Sequence, residues 1–336
     1  MPPQDEHHDL ALKHAPVFAQ KVSKEWRVAD QIAPVDLAGT ITSIADNPAK
    51  LLEIGEDLRK RKDKTYVIPP KVYYSVCETS THHFILYAVY HVLDWWKRYT
   101  PTNLYDAIRD QVDEHFHDME GALVVVTKQP SGLVDAMITV AHLDFFLYTK
   151  PMTPTDLGQA EPASKDSLNI VKFNETVDGN IWLDKTNGRV RLYIESRGHG
   201  IHGDHTGWGG GDELLYYYPD EETATPQTID KAEKNTQAVK YTLEDICAPQ
   251  GLWSVRFDQA VFRQNKHGQW GFVYREKNGN LKGASANPPW SWNDHNDTSP
   301  IGEIATDPAH FIARYAQGWG VMSLQYLRNP YLGIPE

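Results

Sequence analysis

From residue 71 onward the chain breaks into short apolar or alternating runs, and this pattern constrains the fold more than any other feature. Runs at 71–78, 83–91, 121–127, 134–142, 168–173, 190–195 and 214–218 are rich in Val, Ile, Tyr and Phe. Turn residues such as Gln129-Pro130-Ser131-Gly132 separate them. β-Branched and aromatic side chains suit a pleated surface, and a period of two sends neighbouring residues to opposite faces. Later runs at 238–242, 253–257 and 270–275 continue the pattern, the last followed by the hairpin-like Lys277-Asn278-Gly279-Asn280. Helix signals are few. Asn47-Pro48 opens one over 49–61 and Asp307-Pro308 another over 309–317. Many strands without alternating long helices predict a mainly β chain, an antiparallel β-sandwich (jelly-roll-like) with a few peripheral helices. Residues 1–65 read as an N-terminal extension whose helix packs on the core, and 66–336 as the sandwich, one domain overall. Stretches 149–166 and 220–235 read as surface loops.

Composition narrows the function classes. The 336 residues can bury a large core. With 45 acidic against 33 basic residues the formal charge is −12, which argues against binding nucleic acid through its phosphates. The one basic run, Arg59-Lys60-Arg61-Lys62, sits where a helix C-terminus favours cations. No apolar run approaches the length of a transmembrane helix, and residues 1–10 do not read as a signal peptide. The 10 Trp and 17 Tyr resemble the usage of secreted glycan-handling proteins, so localisation stays open with secretion or the periplasm favoured. Sequons Asn174-Glu175-Thr176 and Asn296-Asp297-Thr298 matter only on a eukaryotic secretory route. Cys77 and Cys247 read as one disulfide or two thiols, with Cys77 in a strand where a buried thiol is the commoner outcome. Oligomeric state is open.

The densest chemistry lies in His115-Phe116-His117-Asp118-Met119-Glu120, directly before the apolar run 122–126. On extended backbone Asp118 and Glu120 share a face, and two carboxylates there suit a hard divalent cation, Ca²⁺, Mg²⁺ or Mn²⁺. His115 and His117 have the opposite parity, so all four converge only if the backbone turns near His117. Such a turn is expected, because residues 114–118 are too polar for a central strand. Two carboxylates entering an apolar strand are costly unless paired or metal-bound.

This H-x-H-D-x-E pattern before a hydrophobic strand resembles the heptapeptide of the necrosis- and ethylene-inducing peptide-like proteins, usually G-H-R-H-D-W-E. The chain keeps His115, His117, Asp118 and Glu120, with Glu114, Phe116 and Met119 at the differing positions. A broader resemblance, over roughly residues 70–205, is to fungal and bacterial proteins similar to a vacuolar-protein-sorting-associated protein. It takes in Tyr73-Tyr74-Ser75, Thr81-His82-His83-Phe84, Tyr90-His91-Val92-Leu93-Asp94-Trp95, Ala141-His142-Leu143-Asp144-Phe145 and Tyr193-Ile194-Glu195-Ser196-Arg197-Gly198-His199-Gly200. The resemblance implies a β-sandwich with a divalent metal at the motif. The necrosis-inducing proteins act as cytolysins on plant membranes, so it implies no reaction.

Three further polar clusters could meet the motif: Thr79 with His82 and His83, His142 with Asp144, and the Gly/His-rich stretch from Glu195 to His205. Glycines in that stretch would let backbone approach a ligand, and histidines supply donors or metal ligands. A single histidine at a strand end is more often structural, which weighs on His142, and Tyr-rich sheets often hold structural histidines, which weighs on His82, His83 and His91. A Zn²⁺ site built on His115 and His117, with His142 or His199 as third ligand, is the metal alternative. H-E-x-x-H, G-x-S-x-G, Walker and dinucleotide motifs are absent from the sequence.

The expected function is therefore a divalent-metal-dependent hydrolase acting on a glycan or a phosphorylated or glycolipid head group. His115, Asp118 and Glu120 would hold the cation; His117, His142 and His199 would move protons. His83, Asp144, Glu195, His202 and the loop tryptophans Trp290 and Trp292 would contact substrate. The alternative is a non-catalytic, metal-dependent glycan or membrane-glycolipid binder, lectin-like or cytolysin-like. A third reading is a cation that only stabilises the fold.

Overall fold

The fold is given by a computed structural model. It describes residues 6–23, 27–38, 53–94, 115–152, 177–203, 213–220, 236–275, 281–282 and 286–335, apart from short interruptions. The chain is mainly β. After helix α1 (Glu6–His14) come β1 (Val17–Val22), β2 (Lys71–Thr79), β3 (His82–Asp94), β4 (His115–Thr127), β5 (Val134–Ala141) and β6 (Asp144–Met152). Then follow β7 (Val177–Trp182), β8 (Arg191–Ile194), β9 (Ile201–Gly203), β10 (Glu213–Pro219) and β11 (Thr236–Asp245). The C-terminal part holds two small hairpins, β12 (Phe262–Gln264) with β13 (Trp270–Phe272) and β14 (Tyr274–Arg275) with β15 (Leu281–Lys282). Helices α2 (Glu303–Thr306) and α3 (Pro308–Tyr315) and strand β16 (Tyr326–Arg328) end it.

Among the described residues one 12-stranded sheet runs β7-β6-β5-β4-β3-β2-β11-β10-β1-β8-β9, with β16 beside β2. The β2–β6 meander is antiparallel, but β1–β8, β10–β11, β11–β2 and β6–β7 are parallel. The sheet is thus mixed, and it curls until nearly closed in a barrel-like shape, rather than forming the expected antiparallel sandwich. Alternation reveals a strand but not its partner, and parallel partners arrive through long crossovers that leave no local trace. The inner apolar cluster shows the curl, for it draws at least one residue from every strand from β1 to β11, among them Phe18, Tyr87, Val124, Ile201 and Tyr241. A Cβ on Gly203 of β9 would fall 2.5 Å from a Tyr148 ring carbon on β6, so glycine lets the two ends of the sheet meet.

The outer face of β2–β6 carries a second core. Phe84, Leu86, Leu123, Val125 and Ile138 pack there under Phe262, Phe272, Trp290, Trp292, Phe311 and Ile312 of the C-terminal part. Strands buried on both faces explain why 122–126 reads as continuous Val and Leu rather than alternating. Full burial of such side chains contributes about 1.5–3 kcal/mol each.

Several expected elements shift. Residues 252–255 form a 3₁₀ turn rather than a strand. The helix at 309–317 starts at Pro308 and is described to Tyr315. Of the 49–61 helix, residues 53–55, 57, 58 and 60 are helical, and the 168–173 strand lies outside the described residues. β1, inside the expected N-terminal extension, sits within the sheet between β10 and β8. Cys77 and Cys247 are both free thiols. No helix among the described residues is long and apolar enough to cross a membrane.

Candidate metal and ligand site

The site forms where the inner face of the β3–β4 ladder changes from apolar to ionisable. Ile85, Tyr87 and Val89 on β3, and Ala122, Val124 and Val126 on β4, line the inner core. Two more residues along each strand the same parity presents His91 and, from β4, Glu120 and Asp118. His91 and Asp118 are direct cross-strand partners, and Val89 faces Glu120. Polar residues therefore do stand in a strand here, contrary to the expectation for 114–118. The backbone does depart from extended geometry at His117, with φ 62°. The register nevertheless stays constant from Ala88↔Gly121 to Asp94↔His115, so the motif keeps its two faces.

The turn after β8 lowers His199 onto this face. His199 Nδ1 lies 2.9 Å from Asp118 Oδ2, and Nε2 is 3.6 Å from Asp30 Oδ1. Its ring stacks flat on His91, 3.8 Å between centroids and 3° between planes. Burial opposes charge on His199, but the Asp118 and Asp30 carboxylates outweigh it and raise its pKa to about 10. Burial, and then His199 itself, hold His91 well below its ordinary value and hence neutral. Asp30 is fixed by backbone N–H groups of Ser23 (2.6 Å) and Arg197 (3.1 Å). Gln20 of β1 donates to His91 Nε2 at 3.0 Å and to the Asp30 carbonyl.

Ligand atoms of His91, Asp118 and His199 all lie within 4.8 Å of one another and are buried, so the trio could hold a metal ion. Two observations favour the fit. His91 Nδ1 is a buried ring nitrogen lacking a hydrogen-bond partner, and an unmet buried polar atom costs about 1–3 kcal/mol, while His199 would give up its proton between Asp118 and Asp30 to serve as a ligand. Burial and then the Asp118 charge push the Glu120 carboxyl well above the carboxylate range, a surplus of buried acid that a cation would relieve.

A rim surrounds the trio. Glu120 Oε1 accepts the His142 backbone N–H at 2.6 Å and Oε2 that of Ile201 at 3.2 Å. Half-exposed His142 reaches Glu195 at 3.2 Å, and His202 reaches the other Glu195 oxygen at 3.2 Å. The Glu195 hydrogen bond, against burial, raises His142 to about 9, and the two imidazoles bring Glu195 down to about 2. Gly198 makes room for this arrangement, since a Cβ there would stand 2.6 Å from His142 Cε1. His142, Arg197 and His199 all have φ between 53° and 77°. Left-handed non-glycine residues cost about 1–3 kcal/mol each, and three of them border this site.

The structure thus brings together Asp118, Glu120, His142, His199, Glu195 and His202. It does not bring His117, whose ring is on the outer face, bonded to the Tyr90 hydroxyl (2.7 Å) and the Val273 carbonyl (3.1 Å) and stacked on Phe272. His83 stands eight residues along β3 from His91, about 26 Å away on an extended strand, near Glu78. Trp290 and Trp292 are buried in the outer core, and Trp292 donates to the Met119 carbonyl across β4 at 3.0 Å. Asp144 is half-buried at the start of β6, paired with Ala141. His115 belongs to β4, but its side chain is outside the described residues, as are Asp204 and His205. Sequence reasoning passed over Asp30 and Gln20 and weighed His91 as structural. Parity could have found His91, which continues the inward series 85, 87, 89; nothing local marks Asp30.

No protein-family model matches the chain, and no curated protein does. Among solved structures the chain is similar to the toxin fold of necrosis and ethylene inducing proteins, at low sequence identity. NLPPya in complex with mannosamine is 14% identical, over 61% of this chain and 69% of its own, with a TM-score of 0.30. A structure described as a toxin fold for microbial attack and plant defense is 13% identical, over 88% and 89%, with a TM-score of 0.31. Necrosis and Ethylene inducing Protein 2 from the agent of cocoa's Witches Broom disease is 15% identical, over 60% and 69%, with a TM-score of 0.27.

Proposed function

We propose that this protein is a cation-dependent binder of a polar, sugar-bearing ligand such as a glycan or glycolipid head group. The carrying observation is the buried convergence of His91, Asp118 and His199 behind the half-exposed His142–Glu195 rim. Two imidazoles with one carboxylate suit a borderline ion such as Zn²⁺ or Mn²⁺ better than Ca²⁺, which takes six or more oxygens. When bound, such an ion would attract ligand hydroxyls as a Lewis acid. Ionised Glu195 would pair with an ammonium or accept hydroxyl hydrogen bonds, and His142 and His202 would donate. Glu120, held by two backbone N–H groups, would position the His142 turn.

Hydrolysis has less support, because the imidazoles are already committed. His199 is buried in the trio, His142 and His202 bind Glu195, and His117 faces the other core. A general base needs a proton acceptor facing substrate. The test is calorimetric titration of Zn²⁺- or Mn²⁺-loaded and chelator-treated protein with glucosamine, mannosamine and liposomes bearing glycosylated lipids. Binding that needs the ion and disappears in Asp118→Asn supports the reading. Binding indifferent to chelation overturns it, and product release from a glycan or phosphoester panel would restore the hydrolase.

A further inference from the structure

Helix α1 docks through a face made largely of imidazole. His7, Ala11 and His14 are its buried residues, at i, i+4 and i+7, so the inward stripe reads imidazole, methyl, imidazole. Glu6 and Asp9 point to solvent, and His8 meets the Tyr74 ring edge-on. Ala11 joins the inner core, and its carbonyl accepts the Tyr87 hydroxyl at 2.7 Å. At the helix end Arg189 donates to the carbonyls of Leu12, Lys13 and Ala15.

Charged groups reach that stripe from β2, from β3 and from the segments beside β4 and β8. Glu78 of β2 is shared: Oε2 lies 3.7 Å from His7 and 4.0 Å from His83 of β3, while Oε1 takes the Lys128 ammonium just beyond β4. His14, next to Lys13, feels His83 and Arg189, and its Nε2 is buried without a hydrogen-bond partner. Asp184 stands behind Arg189, and the Tyr241 hydroxyl of β11 bonds the Pro16 carbonyl at 2.7 Å. Lys13 and Arg189 stand beside His14 and Lys128 already occupies Glu78, so a proton gained by His14 adds like charge.

We propose that α1 is an acid-released latch: protonation of buried His14 undocks the helix while the sheet stays folded, opening that end of the inner core. The hinge would fall at Ala15-Pro16, because Val17 is already tied to Val190 at 2.8 Å and β1 is paired on both sides. Burial, then Lys13, His83 and Arg189, depress His14 to about 4. A histidine whose pKa is lower docked than undocked supports docking fully above its ordinary value and loses that support as pH falls toward 4. For His14 alone, a drop from 6.5 to about 4 corresponds to an about 30-fold weaker docking equilibrium at pH 5. His83, lowered chiefly by burial, acts in the same direction.

Hydrogen–deuterium exchange of the full chain at pH 7.5 and 5.0, corrected for intrinsic rates, tests this. Peptides covering residues 6–16 are expected to lose protection at least tenfold at pH 5, while β3 and β4 keep theirs. His14→Gln is expected to remove most of that loss, and Glu78→Gln to move it to higher pH. Unchanged protection of residues 6–16 at pH 5, or loss together with β3 and β4, overturns the proposal. If His14→Gln does not fold, an unshifted midpoint in Glu78→Gln overturns it equally.

Discussion

Asp118 is the residue on which the candidate site turns. It faces His91 across the ladder and touches His199 through space, so it is the one anionic oxygen between two imidazoles. Asp118→Asn keeps the shape and removes that charge, and is expected to weaken Zn²⁺ or Mn²⁺ binding by at least tenfold in competition titrations. Glu120→Gln should weaken it less, since its oxygens are occupied by backbone N–H groups. Gly198→Ala probes the rim: its Cβ would meet His142 Cε1 at 2.6 Å and force the ring from Glu195. The expected outcome is an about tenfold loss of sugar affinity with metal affinity intact, read from the two titrations separately. At this scale the sequence was informative where chemistry is dense along the chain. Asp118, Glu120, His199, Glu195 and His202 stand near one another in sequence or beside glycines. Asp30 comes from far along the chain and carries no local mark.

At the scale of the element, β4 explains both the success and the failure of reading the motif. A strand sends successive residues to opposite faces, so no single ion can collect His117 with Asp118 and Glu120 while the register holds. His117 instead anchors the outer core through Tyr90, Val273 and Phe272. His117→Ala is therefore expected to cost about 2–3 kcal/mol in urea unfolding, through lost packing and an unmet Tyr90 hydroxyl, with metal affinity unchanged. A loss of metal binding without loss of stability would return His117 to the site. The same period of two made β2, β3, β5 and β10 readable. It missed β9, which has only three residues and two turn-forming neighbours, and β7, whose Gly179 and Asn180 resemble a turn.

At the scale of the whole molecule, the site joins segments that the sheet alone does not hold together. Asp30 follows β1, His91 and Asp118 end the β3–β4 ladder, and His199 belongs to the turn between β8 and β9. These come from neighbouring parts of a curled sheet whose two ends meet near β6 and β9. An ion held by the trio would link the β3–β4 ladder to the β8–β9 turn in the folded state only. Binding to the folded state alone at a hundred times the dissociation constant stabilises by about 2.7 kcal/mol. For a chain of this size that corresponds to about 4 °C in melting temperature. Wild-type protein loaded with Zn²⁺ or Mn²⁺ is thus expected to lose a few degrees on adding chelator, whereas Asp118→Asn should melt at one temperature in both states. Equal chelator sensitivity in wild type and variant would mean that the ion sits elsewhere, and would leave His199 bridging Asp118 and Asp30 as an internal salt link. A shift in melting temperature without any effect of chelator on sugar binding would instead assign the ion to holding the fold closed, with recognition left to the Glu195 rim.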